Sequence, residues 1–303
     1  MLARHPKRLG RLTDHPVPAW FADAMADAPS SHHVDVGGCS IHFLRWGPPG
    51  GTLPGILFLH GGGAHAQWWS FIAPFFDNDR PVAALDFSGM GDSGRRVEYG
   101  SHVHVPEISA VIEAARLGDG TIIVGHSFGA YMTLCHAAQY GAQLGGAVIV
   151  DAAIRPGTED RDQPRVAYDR AKRHYPDKRA ILSRFRLAPE QPCENQYILD
   201  HVAEHSVMEE AEGWTWKFDV AARGAAHFQE PLGAYLRDMP CRKALIYGAE
   251  SAFMTPEVVA HMKMLLGSNA QVVAVPTAHH HLTVEQPIGF IVALQGILAG
   301  WGS

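Results

Sequence analysis

The chain has 303 residues, 47% hydrophobic and 18% charged, with 31 Gly and 20 Pro, a composition that excludes a disordered chain, a coiled coil or a collagen-like repeat. Twenty-five Lys and Arg against 31 Asp and Glu leave a formal net charge of -6. No basic run suits a polyanion partner, because the most basic stretch, residues 4–11, is too short for a nucleic-acid surface and reads as a solvated terminus. A chain of this size buries about three quarters of its unfolded surface, so its core needs neither a metal nor a disulfide. The four cysteines, Cys39, Cys135, Cys193 and Cys241, form no C-x-x-C pair and read as isolated thiols of a reducing compartment. The start of the chain carries charges without an apolar signal-peptide core, and no window approaches the roughly 18 apolar residues of a membrane span. The expected location is the cytoplasm, with no membrane and no nucleic-acid partner.

In chain order, residues 1–31 read as an N-terminal extension with one short helix after Pro18. Residues 33–36 and 41–46 are β-rich and flank Gly37-Gly38, a hairpin signal. Short apolar runs then follow at 55–59, 82–87, 121–124 and 147–150, as strands buried on both faces should read. Between them lie helix-length segments at 67–76, 105–117 and 128–140. That alternation means right-handed βαβ units and a parallel sheet. The rhythm stops over residues 155–239, which are polar and aromatic with scattered prolines. It resumes with a strand at 244–247, a helix at 256–266, a strand at 271–275 and a last helix at 287–299. The expected organisation is one α/β core, residues 32–154 and 240–303, interrupted by a mainly helical cap over the carboxyl edge of the sheet. Long insertions inside compact domains are usually functional.

The strongest chemical signal is Gly125-His126-Ser127-Phe128-Gly129. It matches G-x-S-x-G between an expected strand and an expected helix, where a strained turn lifts a serine hydroxyl out of a sheet and a helix N-terminus faces developing negative charge. Ser127 is therefore the candidate nucleophile. A base is sought in Ala278-His279-His280-His281-Leu282, late in the chain and beyond the end of a strand. Three adjacent histidines project in different directions, so they are not expected to converge on one metal ion. The His60-Gly61-Gly62-Gly63 loop follows a strand directly. Its glycines let backbone amides approach a ligand, and the amides of Gly62 and Phe128 are the candidate oxyanion donors. No GxxxxGK[ST] phosphate loop is present. His60 is expected to brace its loop.

Together these residues resemble the α/β-hydrolase superfamily, over most of the chain outside the insertion. The segment Leu85-Asp86-Phe87-Ser88-Gly89-Met90-Gly91-Asp92-Ser93 resembles that family's D-x-x-G-x-G-x-S loop, which implies a bracing role for Asp86 and Asp92. The segment from Ala278 to Glu285-Gln286-Pro287 resembles its histidine loop, which singles out His280, five residues before an acid. The resemblance implies a mostly parallel eight-stranded sheet flanked by helices and a Ser-His-acid hydrolase that needs no cofactor. The expected substrate is a small to medium carboxylic ester. A C–C bond hydrolase using the same Ser and His, or a non-catalytic member of the fold, is the alternative, and a homodimer stays open.

The chain departs from the family at the acid. The usual position, three residues past the glycine that ends the seventh strand, holds Ser251, which cannot hold an imidazolium by charge. Asp151, at the end of the strand before the insertion, is the first candidate, because some members of the superfamily place their acid there. Glu250 is the alternate. Tyr168, Tyr175, Phe185, Tyr197, Trp214, Trp216 and Phe218 furnish the insertion with aromatics. Trp69 and Trp214 are the expected walls of the substrate site.

Overall fold

The computed structural model describes residues 17–48, 51–157, 172–224 and 230–302. The basic stretch at 4–11 and Tyr168 lie outside the described residues. After helix α1 (Ala19–Ala26), strands β1 (Ser30–Val36) and β2 (Cys39–Trp46) form an antiparallel hairpin. Its two-residue turn has φ of 59° at Gly37 and 78° at Gly38, the left-handed pair that a tight hairpin demands and that glycine adopts without strain. In the sheet β2 pairs antiparallel with β4 (Val82–Leu85), and beyond that pair every pairing in the main sheet is parallel. The eight strands lie in the order β1-β2-β4-β3-β5-β6-β9-β10, with β3 (Ile56–Leu59), β5 (Ile122–His126), β6 (Gly146–Val150), β9 (Lys243–Gly248) and β10 (Gln271–Val275) completing the sheet.

The central strands are uninterrupted apolar runs because helices cover both faces. Ile56, Leu57, Phe58 and Leu59 are all fully buried, each worth about 2 kcal/mol of transfer free energy. Helices α2 (Ser101–Ala114) and α3 (Phe128–Tyr140) pack with β1 and with β5 and β6, and α10 (Pro287–Gly300) packs on β9 and β10. Strand order reverses between β3 and β5, so a crevice opens beyond their carboxyl ends, where open α/β sheets bind ligands.

Three local expectations are corrected. Residues 67–76 do not form one helix but two 3-10 turns, Ala66–Trp68 and Ala73–Phe75, since Pro74 lacks an N–H and its ring clashes with the carbonyl four residues back. Helix α2 starts at Ser101, ahead of the expected 105, and keeps Pro106 inside. The insertion is not wholly helical: besides α4 (Lys178–Leu182), α5 (Gln196–His205), α6 (Val220–Gly224) and α7 (Leu232–Asp238) it carries an antiparallel ribbon, β7 (Val207–Glu210) and β8 (Gly213–Trp216). The run Trp214-Thr215-Trp216 has the aromatic and β-branched character of a strand.

The insertion leaves the sheet after β6 and returns at β9, and it is seated firmly. Ile198, Leu199 and Val202 of α5 join the core cluster that includes Trp69 and Phe290. His201 Nε2 is 2.8 Å from Ser70 Oγ, and Ser206 Oγ is 2.8 Å from His65 Nε2. On its other side, Lys217 pairs with Asp92 at 2.6 Å and Tyr99 donates to Asp219 at 2.8 Å.

Candidate active site

Every side chain singled out for chemistry stands just past the carboxyl end of a sheet strand. Ser127 follows β5, Asp151 follows β6, Ser251 lies three residues past β9, and His280 lies five past β10. Ser127 has φ 52° and ψ -114°, a backbone that a non-glycine residue holds only when its surroundings over-determine it. They do so here. The Ser127 amide donates to Val150 O at 2.9 Å, and its carbonyl accepts from Ala130 N at 3.0 Å and Tyr131 N at 3.2 Å. The bend also needs bare backbone on either side: a Cβ on Gly125 would sit 2.4 Å from Gly129 O, and one on Gly129 would sit 2.4 Å from Leu59 O.

Gly248 does the same for the histidine loop. A Cβ there would lie 2.4 Å from the carbonyls of both Ala278 and His279, so the missing side chain lets the loop cross the end of β9. Ala249 N to Val275 O (3.0 Å) and Glu250 N to Ala278 O (2.8 Å) fasten the crossing. His280 is thereby presented to both neighbours. Its Nε2 is 3.1 Å from Ser127 Oγ, and its Nδ1 is 2.8 Å from Asp151 Oδ1. Asp151 is fully buried. Its Oδ2 accepts from Gly248 N at 2.8 Å, and its Oδ1 also accepts from Ser251 Oγ at 2.7 Å.

The alternate acid goes elsewhere. Glu250 is more than half exposed, and its Oε2 is 3.6 Å from His279 Nε2. His279 Nδ1 in turn is 2.8 Å from Glu285 Oε1. The structure thus brings Ser127, His280 and Asp151 together and leaves Glu250 with the neighbouring histidine.

Of the three consecutive histidines only His279 turns away, while the His280 and His281 ring centroids stay 4.9 Å apart. His281 turns inward, 5.5 Å from the Trp68 ring and 5.8 Å from that of His126. Burial, helped by the nearby His280, pushes its pKa down to about 3. Burial likewise pushes His126 well below the usual histidine range, with His280 and His281 adding to the effect. His126 Nε2 lies 2.9 Å from the His280 carbonyl, which ties the residue before the serine to the histidine loop. Ring nitrogens of His126, His280 and His281 fall within 4.8 Å of one another. A transition-metal ion could use that set only by taking a His280 nitrogen from Ser127 or from Asp151.

The HGGG loop lies across the same crevice. His60 Nδ1 is 2.7 Å from Gly61 O, and its Nε2 accepts from Phe87 N at 3.1 Å. Burial lowers its pKa, the neutral state those two bonds require. A Cβ on Gly62 would stand 3.7 Å from that of Phe128, so the two proposed oxyanion donors belong to adjacent pieces of backbone. Phe128 opens α3, where first-turn amides project along the helix axis. Below the loop, Asp86 accepts from Ala66 N at 2.5 Å and Asp92 N at 2.9 Å, and its Oδ2 is 2.7 Å from His42 Nδ1. Burial would raise its pKa, but the bond and charge of His42 outweigh that and hold it down at about 2. Asp86 is a brace, as its loop motif implied. Asp92 takes part through its amide and through Lys217.

One of the two expected aromatic walls, Trp69, needs correction. Trp69 is only 1% exposed and stacks on Phe58 at 4.7 Å and near Phe290 at 5.9 Å. It is a core residue, because the 3-10 turn rotates it under the sheet's helices, and Trp68 is the one that faces the histidine loop. Trp214 lies in the ribbon, exchanging backbone hydrogen bonds with Tyr175 at 2.8 and 2.9 Å and lying under Lys178 Nζ.

Two residues outside every motif also converge here. Gln191 Oε1 accepts from His281 N at 2.8 Å, and its Nε2 donates to Glu285 Oε2 at 2.9 Å. Asn195 Nδ2 donates to the carbonyls of Val284 and Glu285, both at 2.9 Å. No motif marks them, since their partners lie about 90 positions away in the sequence.

Comparison with known proteins bears on the family and the fold. The model of the alpha/beta hydrolase family matches residues 56–294. Esterase Rv0045c of Mycobacterium tuberculosis is 26% identical over 278 residues, 89% of each chain. N-formylmaleamate deformylase of Pseudomonas putida is 33% identical over 128 residues, 40% of this chain and 45% of that protein. Among solved structures, a thioesterase domain from the curacin biosynthetic pathway superposes with a TM-score of 0.73 at 21% identity, covering 88% of this chain and 99% of that one. That last likeness is one of fold.

Proposed function

Since the chain belongs to the alpha/beta hydrolase family, we propose that it is a serine hydrolase that cleaves small to medium, largely apolar carboxylic esters through an acyl-enzyme. The observation that carries this reading is the unbroken chain of contacts from Ser127 Oγ to His280 Nε2, at 3.1 Å, and from His280 Nδ1 to Asp151 Oδ1, at 2.8 Å. His280 takes the hydroxyl proton as Ser127 Oγ attacks the ester carbonyl carbon. The carbonyl oxygen becomes an oxyanion, received by the amides of Gly62 and Phe128. His280 then gives its proton to the departing alkoxide as the acyl C–O bond breaks. A water, deprotonated by the same imidazole, attacks the acyl-enzyme and releases the carboxylate and Ser127. Asp151 keeps the imidazole oriented and favours its charged form. None of these steps needs a metal or cofactor.

The insertion, residues 155–239, acts in this reading as a cap. Its seat on Ser70, His65 and the histidine loop supports a wall of fixed position, and Trp68 is the aromatic on the core side. Esterase activity of the relative that matches almost its full length agrees with an ester substrate.

The test uses purified full-length protein, a panel of p-nitrophenyl esters of increasing acyl length and a vinylogous diketone. Turnover of short and medium esters, fluorophosphonate labelling at Ser127 and loss of both in Ser127→Ala are expected. Preference for the diketone would reassign the chain to C–C bond hydrolysis. Folded protein with an inert Ser127 would make it a binding member of the fold.

A further inference from the structure

Position 251 is where members of this family usually carry their acid, and the serine there is not idle. Ser251 Oγ donates at 2.7 Å to Asp151 Oδ1, the same oxygen that receives His280 Nδ1 at 2.8 Å. The residue is 6% exposed. It is held in a turn by its amide, 3.0 Å from Gly248 O, and its oxygen accepts from Phe253 N at 3.4 Å. The Phe253 ring meets His280 edge-on at 4.6 Å between centroids. The Asp151 carboxylate therefore has three partners. Gly248 N fixes Oδ2, while Ser251 and His280 share Oδ1.

We infer that Ser251, standing where a carboxylate usually reaches the histidine in this family, is here a positioning residue for the proposed reaction. The inference rests on the Ser127–His280 reading. A hydroxyl on Oδ1 does two things. It fixes the carboxylate about its Cβ–Cγ bond, so that Oδ1 stays in line with Nδ1. It also draws charge from the oxygen that faces His280 Nδ1. Since Oγ and Nδ1 hydrogen-bond to the same atom, Oγ stands within two hydrogen-bond lengths of the ring nitrogen. A carboxylate grown from residue 251 falls in that space.

Kinetics of full-length Ser251→Ala, Ser251→Thr, Asp151→Asn and the double variant Asp151→Asn/Ser251→Asp decide the matter, measured as kcat and KM against pH with a p-nitrophenyl ester. Ser251→Ala should lose about tenfold in kcat, the worth of one hydrogen bond to a charged group, with KM held. Its acid limb should move to higher pH, because imidazolium is better stabilised without the competing donor. Ser251→Thr keeps the hydroxyl and should restore both. Asp151→Asn should lose about 10⁴ in kcat, and the double variant should recover about 100-fold of that loss by returning charge to Nδ1. A Ser251→Ala profile that superimposes on the wild type, or moves to lower pH, overturns the inference. So does a folded double variant no faster than Asp151→Asn. If the double variant does not fold, the pH limb of Ser251→Ala decides alone. An inactive wild type, or an active Ser127→Ala, would instead strike the reading beneath.

Discussion

Asp151 Oδ1 lies 2.8 Å from His280 Nδ1, whereas the nearest histidine nitrogen to Glu250 belongs to His279, 3.6 Å away. The two carboxylates stand at the ends of neighbouring strands, but only the one on β6 points at the imidazole that meets Ser127. Neutralising each without changing its shape separates them. Asp151→Asn should lower kcat by about 10⁴, the cost of the wrong imidazole tautomer. Glu250→Gln should leave kcat within about twofold, since an exposed charge pair contributes little and the Glu250 amide keeps its bond to Ala278 O. Steady-state ester kinetics on variants with unchanged circular dichroism test this, and the opposite ranking would move the acid to β9.

Gln191 and Asn195 place four hydrogen bonds on the loop that presents His280, on residues 281, 284 and 285. The insertion is thus bonded to the loop that carries His280, the base of the proposed reaction. Gln191→Ala with Asn195→Ala removes four bonds of about 1 kcal/mol each, and about a third of that sum reaching the barrier should lower kcat about tenfold. The fluorophosphonate labelling rate should fall by the same factor, as both depend on the His280–Ser127 distance. A change confined to KM would leave the insertion a substrate wall only.

Glycines at the two ends of the site are not equivalent. A Cβ on Gly129 would press on Leu59 O at 2.4 Å and His60 O at 2.7 Å. Both are backbone atoms that cannot swing aside, so Gly129→Ala should cost about 3 kcal/mol or more and misplace the serine. At Gly63, φ is +72° but nothing lies within 4 Å of an added Cβ, so Gly63→Ala should cost only about 1 kcal/mol of backbone strain. Urea unfolding of the pair measures the difference, and equal losses would refute the contact argument.

What the sequence made legible was local. Gly37-Gly38 specified its hairpin through a conformation that only such a pair reaches cheaply, and the apolar runs gave the parallel strands because two-sided burial leaves no alternation. The G-x-S-x-G bend and the histidine loop were readable for the same reason: each is one short segment whose glycines and spacing are part of its geometry. Contacts between segments were not. Ser251 meets Asp151 only because β6 and β9 are adjacent in the sheet, and no spacing along the chain encodes that. Trp68 and Trp69 are indistinguishable as letters. Pro74 replaced one helix with two tight turns, and that rotation decided which indole faces His281 and which enters the core. The β7–β8 ribbon was missed because eight residues carry too little periodicity to stand out in a polar insertion.

Buried histidines should make this fold acid-sensitive well above the carboxylate range. Burial lowers the pKa of His65 and His281 to about 3 and of His136 and His201 to about 4. Each is neutral in the folded chain, while the unfolded chain titrates near 6.5. Below that value the unfolded state binds protons that the folded state refuses, so stability falls as pH falls from 6.5 toward 4 and is full above 6.5. At pH 5 each histidine costs about 2 kcal/mol, and four together rival the 5–15 kcal/mol that such domains typically possess. Asp86 adds nothing in that window. Its pKa of about 2 is depressed from the ordinary value near 4, so its contribution is intact above pH 4 and is lost only as pH drops through about 2. Urea unfolding at pH 7.5 and 5.0 should therefore show a drop of several kcal/mol, and His136→Gln should make that drop shallower by about one histidine's share. An unfolding free energy that stays level between the two pH values would mean that these rings gain their protons without opening the fold.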